Sequence, residues 1–291
     1  MKKLGKRVLA FCLACVMALT VVTVMEPVTA EAATKSMTLY KGEKGYLNSM
    51  FGEIKSVSSD KKSVVAVSKD KKDKYRVNFN AKATGKAHVT IKTSRGTVKY
   101  NMTVKKLDVT ASLRDMGDGY LLLTVKNKTK QTFTDVQVQY VLKNEFGEVI
   151  KKDVASVSDV VAGKTVYDRI LYDNYSYNVD ISQCSAKVVA DSRSLNAKYG
   201  NVSSKVTSKV TEDTNDYGNT VLTVKSKNTL KKDSVRGNHY ILVYNSEGKI
   251  VDLKTVYFYL KAGAVDTDTT TLYAEDYSTY KVVTVAYTVN Y

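Results

Sequence analysis

Apolar and polar side chains alternate in short runs along most of this chain. In Ala87-His88-Val89-Thr90-Ile91-Lys92 the odd positions are apolar or small, and in Lys99-Tyr100-Asn101-Met102-Thr103-Val104 the even positions are. Val136, Val138, Tyr140 and Leu142 share one parity against Gln137 and Gln139, and Val283, Val285, Tyr287 and Val289 repeat the pattern near the end. A period of two is that of a strand with one face buried. Between two such strands, Lys69-Asp70-Lys71-Lys72-Asp73-Lys74 reads as a charged hairpin tip. The expected fold class is all-β, built from tandem sandwiches.

Composition agrees. Of 291 residues, 43% are apolar and 25% charged, a balance that suits folded cores and excludes a multispanning membrane protein. Tyr outnumbers Phe by 21 to 6, Trp is absent, and Val and Thr recur, which is the bias of strands. The single proline is Pro27, so later turns must be made from Gly, Asn, Asp and Ser. Helix-rich enzyme folds of the barrel or dinucleotide-binding kind do not fit.

The N-terminus reads as a targeting segment over residues 1–32. Lys2, Lys3, Lys6 and Arg7 precede an apolar run from Val8 to Met25, and Ala30-Glu31-Ala32 offers small residues for cleavage. Cleavage after Ala30 or after Ala32, or retention as a single anchor, are the outcomes such a segment allows. Cys12 and Cys15 lie inside the run without a lipoprotein pattern, and only Cys184 remains after cleavage. The mature chain then has no intrachain disulfide, an expectation that suits a protein secreted by a Gram-positive bacterium. Cys184 is expected to be a small, at least half-buried hydrophobe.

Four stretches in order, Leu39 to Leu47, Val57 to Ser68, Ala81 to Thr93 and Tyr100 to Val104, resemble the successive signatures of the bacterial immunoglobulin-like domain, group 2. The resemblance covers about residues 37–104 of a module bounded at 33–106, and implies a β-sandwich of bacterial surface and adhesion proteins, with no catalytic residues to carry over. Ile54-Lys55-Ser56-Val57 stands where that family carries a Trp.

The remainder holds an internal repeat of about 100 residues. Leu123-Thr124-Val125-Lys126 matches Leu222-Thr223-Val224-Lys225, Asn144 to Gly147 matches Asn245 to Gly248, and Ala162-Gly163 matches Ala262-Gly263. Two modules, 107–198 and 199–291, follow from this. Their Tyr140–Gly147 and Ile241–Gly248 segments resemble the hairpin of the FxLYD family, which implies extracellular immunoglobulin-like or fibronectin-like sandwiches. The fold expected is thus three tandem sandwiches after a signal peptide.

Charge separates the modules. Residues 33–106 carry 18 Lys and Arg against 5 Asp and Glu, whereas residues 107–291 carry 23 against 22. Lys69, Lys71, Lys72 and Lys74 are the candidate contacts for an anionic cell-wall polymer or glycan; nucleic acid is excluded as a physiological partner by secretion. Seventeen of the 21 tyrosines lie beyond residue 106. Tyr172, Tyr175 and Tyr177 in one repeat and Tyr273, Tyr277 and Tyr280 in the other are candidates for stacking on a glycan or a host or bacterial surface protein, or else for capping the sandwiches.

Two histidines, His88 and His239, are expected to be exposed or lightly packed, with no partner set linking them. Asp115 to Gly119, Glu212 to Asp216 and Asp266 to Asp268 read as turns rather than calcium loops. No cofactor, metal or catalytic constellation is expected, and contact with a membrane only through an uncleaved leader. The function expected is non-catalytic binding or adhesion at a bacterial surface. A passive spacer or substrate-binding accessory protein, and a hydrolase with an unrecognised site, are the alternatives.

Overall fold

The computed structural model describes residues 33–49, 52–172, 178–189, 200–273 and 277–289. The leader, Tyr175 and Tyr177 lie outside the described residues. The fold is all-β: the described residues form nineteen strands and two 3₁₀ turns, Ile181–Gln183 and Ser203–Lys205. Contacts divide the chain into two units. Among the described residues, one gathers those up to Thr38 with those of Tyr46–Phe79 and Gly85–Thr103; the other takes Leu39–Gly45, Asn80–Thr84 and those from Val104 onward.

The first seven strands are β1 (Ala33–Tyr40), β2 (Lys44–Asn48), β3 (Ile54–Ser59), β4 (Val65–Lys69), β5 (Arg76–Ala81), β6 (Gly85–Thr93) and β7 (Gly96–Lys105). They form a four-stranded sheet, β1-β7-β6-β3, and a three-stranded sheet, β2-β5-β4. Alternation decides which side chains fill the core: Ala87, Val89 and Ile91 of β6 and Val98, Met102 and Val104 of β7 are buried, with Val77 and Phe79 of β5.

Repeat 1 comprises β8 (Val109–Gly117), β9 (Tyr120–Asn127), β10 (Phe133–Lys143), β11 (Val149–Val160), β12 (Thr165–Leu171) and β13 (Ser185–Val189). Repeat 2 comprises β14 (Val206–Thr214), β15 (Thr220–Asn228), β16 (Ser234–Tyr244), β17 (Ile250–Leu260), β18 (Val265–Thr271) and β19 (Thr279–Val289). Sheets β12-β9-β8 and β11-β10-β13 of the first reappear as β14-β15-β18 and β17-β16-β19 of the second, strand for strand.

Register corrects one feature of the sequence repeat. The identical Leu-Thr-Val-Lys segments are not structural equivalents. Val109 pairs with Asn127 and Val206 with Asn228, so the buried asparagines that end β9 and β15 correspond, and Val125 corresponds to Ser226. A slip of two residues keeps every side chain on its own face, which is why the segments match without being superimposed. Asn127 donates from Nδ2 to the carbonyls of Gln131 (2.8 Å) and Val160 (2.9 Å), and Asn228 to those of Asp233 (2.8 Å), Leu260 (3.3 Å) and Lys261 (3.0 Å). Each closes the end of its sandwich.

The core of repeat 1 runs on into the outer face of repeat 2, which keeps two apolar clusters of its own. Leu122 lies on the outer face of β9, on the side of Tyr167 and Arg169 of β12, yet it is buried. On β16 both parities are buried: Ile241 and Val243 point into their own sandwich, while Tyr240 and Leu242 join a cluster that includes Leu121, Leu122 and Leu123. Tyr167 and Tyr240 meet edge to face with centroids 5.5 Å apart. The central strand β16 is therefore covered on both faces at Tyr240 to Val243, while Tyr257 and Tyr259 of β17 stay exposed. The consecutive apolar run Tyr240 to Tyr244 is the sequence mark of such a strand.

Candidate binding surfaces

The lysine hairpin joins β4 to β5, and Lys69, Lys71, Lys72 and Lys74 are all exposed. Its acidic residues are engaged in building the turn. Asp70 Oδ1 accepts from the amides of Lys72 (2.8 Å) and Asp73 (3.0 Å), and its Oδ2 accepts from Asn78 Nδ2 (2.9 Å). These bonds, those of the Lys72 amide first, hold the Asp70 carboxyl below the usual carboxylate range. Asp73 accepts from the Tyr75 amide (2.9 Å) and lies 3.7 Å from Arg76.

Two aromatic rings flank this basic tip. Arg76 sits over the ring of Tyr46 at 4.1 Å, and Lys74 lies 5.4 Å from the ring of Tyr75. Tyr46 is 51% and Tyr75 44% exposed. Sequence reasoning did not select Tyr46, Tyr75 or Arg76. The Lys-Tyr-Arg order of residues 74–76, where a strand leaves a basic loop, was the available signal for two of them.

The described tyrosine candidates, Tyr172, Tyr273, Tyr277 and Tyr280, do not form one surface. Tyr172 is partly buried against the shared core, its amide bonded to the Gly119 carbonyl at 2.8 Å. Tyr277 and Tyr280 pack partly into the repeat 2 core with centroids 6.4 Å apart. Burial, with Glu212 alongside, pushes the Tyr277 phenol up to about 12. Tyr273 differs from these three in standing 69% exposed.

Tyr273 belongs to an open groove of about 820 Å³ where the repeats meet. Tyr120 and Arg169 come to it from repeat 1, and Lys249, Asp252 and Lys254 from repeat 2. Arg169 sits over the Tyr120 ring at 4.5 Å and reaches Asp252 Oδ1 at 3.4 Å. Lys254 Nζ is 2.9 Å from Asp252 Oδ2 and 5.1 Å from the Tyr273 ring centroid. Lys249 crosses to Asp115 at 3.3 Å.

His239 departs from expectation. It is fully buried on the inner face of β16, where Ser226 Oγ lies 2.6 Å from Nε2 and Thr284 Oγ1 2.9 Å from Nδ1. Its ring lies 4.6 Å from that of Phe258. Burial lowers its pKa to about 4, so the ring is neutral at pH 7. The strand registers place Ser226, His239 and Thr284 where repeat 1 has Val125, Val138 and Val188. Three apolar contacts have become one hydrogen-bonded set in a core. His88 is exposed as expected and pairs through Nδ1 with Asp60 at 2.7 Å.

Cys184 is half-buried. Its thiol donates to the Asp180 carbonyl at 3.2 Å, and burial pushes its pKa up. Of the acidic segments, Asn215 Oδ1 accepts from the amides of Tyr217 (3.1 Å) and Asn219 (2.9 Å), and Asp115 from that of Gly117 (3.0 Å), as in turns. Asp266 to Asp268 do not form a turn but lie within β18, paired with β15, and Glu212 and Asp213 lie within β14.

No protein-family model matches this chain, and no curated protein matches it either.

Proposed function

We propose that this is a secreted, non-catalytic binding protein of a bacterial surface, whose basic N-terminal sandwich holds an anionic polymer of the cell envelope. The observation that carries the reading is the hairpin of β4 and β5. Four exposed lysines stand on a tip whose two carboxylates are engaged by amides, Asn78 and Arg76. Even with Asp70 and Asp73 ionised, the four lysines and Arg76 leave the hairpin net positive, and such an excess attracts a polyanion over about a Debye length, roughly 8–10 Å at physiological salt. Tyr46 and Tyr75 beside it add faces on which sugar rings of such a polymer can lie.

Secretion and the surface-adhesion role rest on the leader pattern and on the resemblance to immunoglobulin-like modules. The test is co-sedimentation of the full-length secreted protein with isolated Gram-positive walls, before and after acid extraction of their anionic polymer. Retention on intact walls and release from extracted ones is the expected result. Equal retention on both would contradict the reading.

A further inference from the structure

The groove between the repeats differs chemically from the lysine hairpin. Its basic side chains, Arg169, Lys249 and Lys254, are matched in number by its acidic ones, Asp118, Glu247 and Asp252. A polyanion gains nothing from such a surface, because each cation reaches for a carboxylate already present: Arg169 and Lys254 share Asp252, and Lys249 takes Asp115. What the groove does offer is fixed donors interleaved with fixed acceptors and bordered by tyrosine rings.

Asp252 is the fixed centre. Its side chain is only 12% exposed, and its oxygens accept from Arg169, from Lys254 and, at 2.7 Å, from the Leu253 amide. A carboxylate has about four acceptor positions, so these three partners leave one. Lys254 is held between Asp252 and the Tyr273 ring, and Arg169 between Asp252 and the Tyr120 ring. These heads are immobilised before any ligand arrives, which lowers the entropic cost of binding.

We infer that this groove is a binding site for an uncharged saccharide, a short run of sugar rings laid against Tyr273 with its hydroxyls on Asp252, Lys254 and Arg169. A sugar hydroxyl donates and accepts at once, so it satisfies a carboxylate and a neighbouring ammonium together. The C–H face of the ring covers the exposed face of Tyr273, whose phenol keeps a polar tip in water. A volume of about 820 Å³ falls in the roughly 300–1,000 Å³ range of ligand sites and exceeds what one ring fills. This site is separate from the hairpin and takes a different ligand.

The experiment is isothermal titration calorimetry of the full-length secreted protein with four probes: the tetramers of N-acetylglucosamine, glucose in α-1,4 linkage, glucose in β-1,4 linkage, and mannose. At least one is expected to bind. Tyr273→Ala removes an exposed ring with little consequence for folding and should weaken that binding by about tenfold. Glutamine at Lys69, Lys71, Lys72 and Lys74 should leave it unchanged, as should raising sodium chloride from about 0.05 to 0.5 M. Failure of all four tetramers to bind, binding unaffected by Tyr273→Ala, or binding abolished by salt would each overturn the assignment. The hairpin's affinity for anionic polymer stands or falls apart from these results.

Discussion

The phenol of Tyr287 donates to Asp159 Oδ1 at 2.7 Å across 128 residues of sequence, from the last strand of repeat 2 to the end of β11 in repeat 1. Both residues are buried, and Asp159 holds a left-handed φ of 56°. Arg236 approaches the other carboxylate oxygen at 3.9 Å. Burial and the neighbouring carboxylate push the Tyr287 phenol far up, so it is a donor at neutral pH. A strained residue whose charge is met from the other repeat fastens the shared core at one end. Tyr167 and Tyr240 fasten it at its centre.

Removing that donor should weaken both repeats together. In Tyr287→Phe the buried carboxylate keeps Arg236 but loses its shortest bond, at a cost of about 1–3 kcal/mol. Urea unfolding of the full chain should show the transition carrying both repeats moving to lower urea without dividing. Separate transitions for the two repeats in the wild type would contradict a common core.

His239 predicts a pH dependence. Its pKa of about 4 in the folded protein lies below the ordinary 6.5, so the unfolded chain binds the proton more tightly. The neutral ring's contribution is fully present above about pH 6.5 and fades as the pH falls toward 4, by a total on the order of 3 kcal/mol. Urea midpoints between pH 7 and pH 4.5 should fall more steeply for the wild type than for His239→Leu. Parallel pH profiles would contradict the buried neutral histidine. Asp60 and Asp70, whose carboxyls are held below the ordinary value, lose their contributions at lower pH, below about 4.

Gly237 is required by close approach. A β-carbon there would stand 2.0 Å from the Val285 carbonyl oxygen, 2.8 Å from Ala286 Cα and 2.9 Å from the Phe258 ring. Repeat 1 has Val136 facing Val157 at the corresponding pair; repeat 2 has Gly237 facing Phe258. The tightest approach is to the backbone of β19, so trimming the Phe258 ring does not relieve it. Gly237→Ala should cost about 3 kcal/mol or more, read as a fall in the urea midpoint, and adding Phe258→Val should restore little of it. A Gly237→Ala midpoint equal to that of the wild type would refute the close approach.

Much of this was legible in the chain. The alternation of β6, β7 and β10 appears in the structure as read, because one face of each meets a core and the other meets solvent. The hairpin of β4 and β5 was legible too, since charge placed between two alternating runs has nowhere to go but a tip. His239 was not: it sits in an apolar run, and only register shows that Ser226 and Thr284 stand ready to bond both ring nitrogens. The shared core was written in Leu121-Leu122-Leu123 and Tyr240 to Tyr244, where alternation breaks down. Periodicity alone does not say which partner covers the second face. The groove joins residues as distant as Tyr120 and Tyr273, which no local pattern links.

The claim that the basic sandwich binds an envelope polyanion is tested most directly by its salt dependence. The dissociation constant of the full chain for poly(glycerol phosphate) is to be measured across a series of sodium chloride concentrations, for the wild type and for the variant with glutamine at Lys69, Lys71, Lys72 and Lys74. Each phosphate contact adds roughly 0.7–0.9 to the slope of log affinity against log salt in nucleic acids. If the four lysines make the contacts, affinity at low salt drops by about tenfold or more in the variant and the slope flattens by about 2 or more. Equal affinity and equal slope in the two proteins would contradict the account.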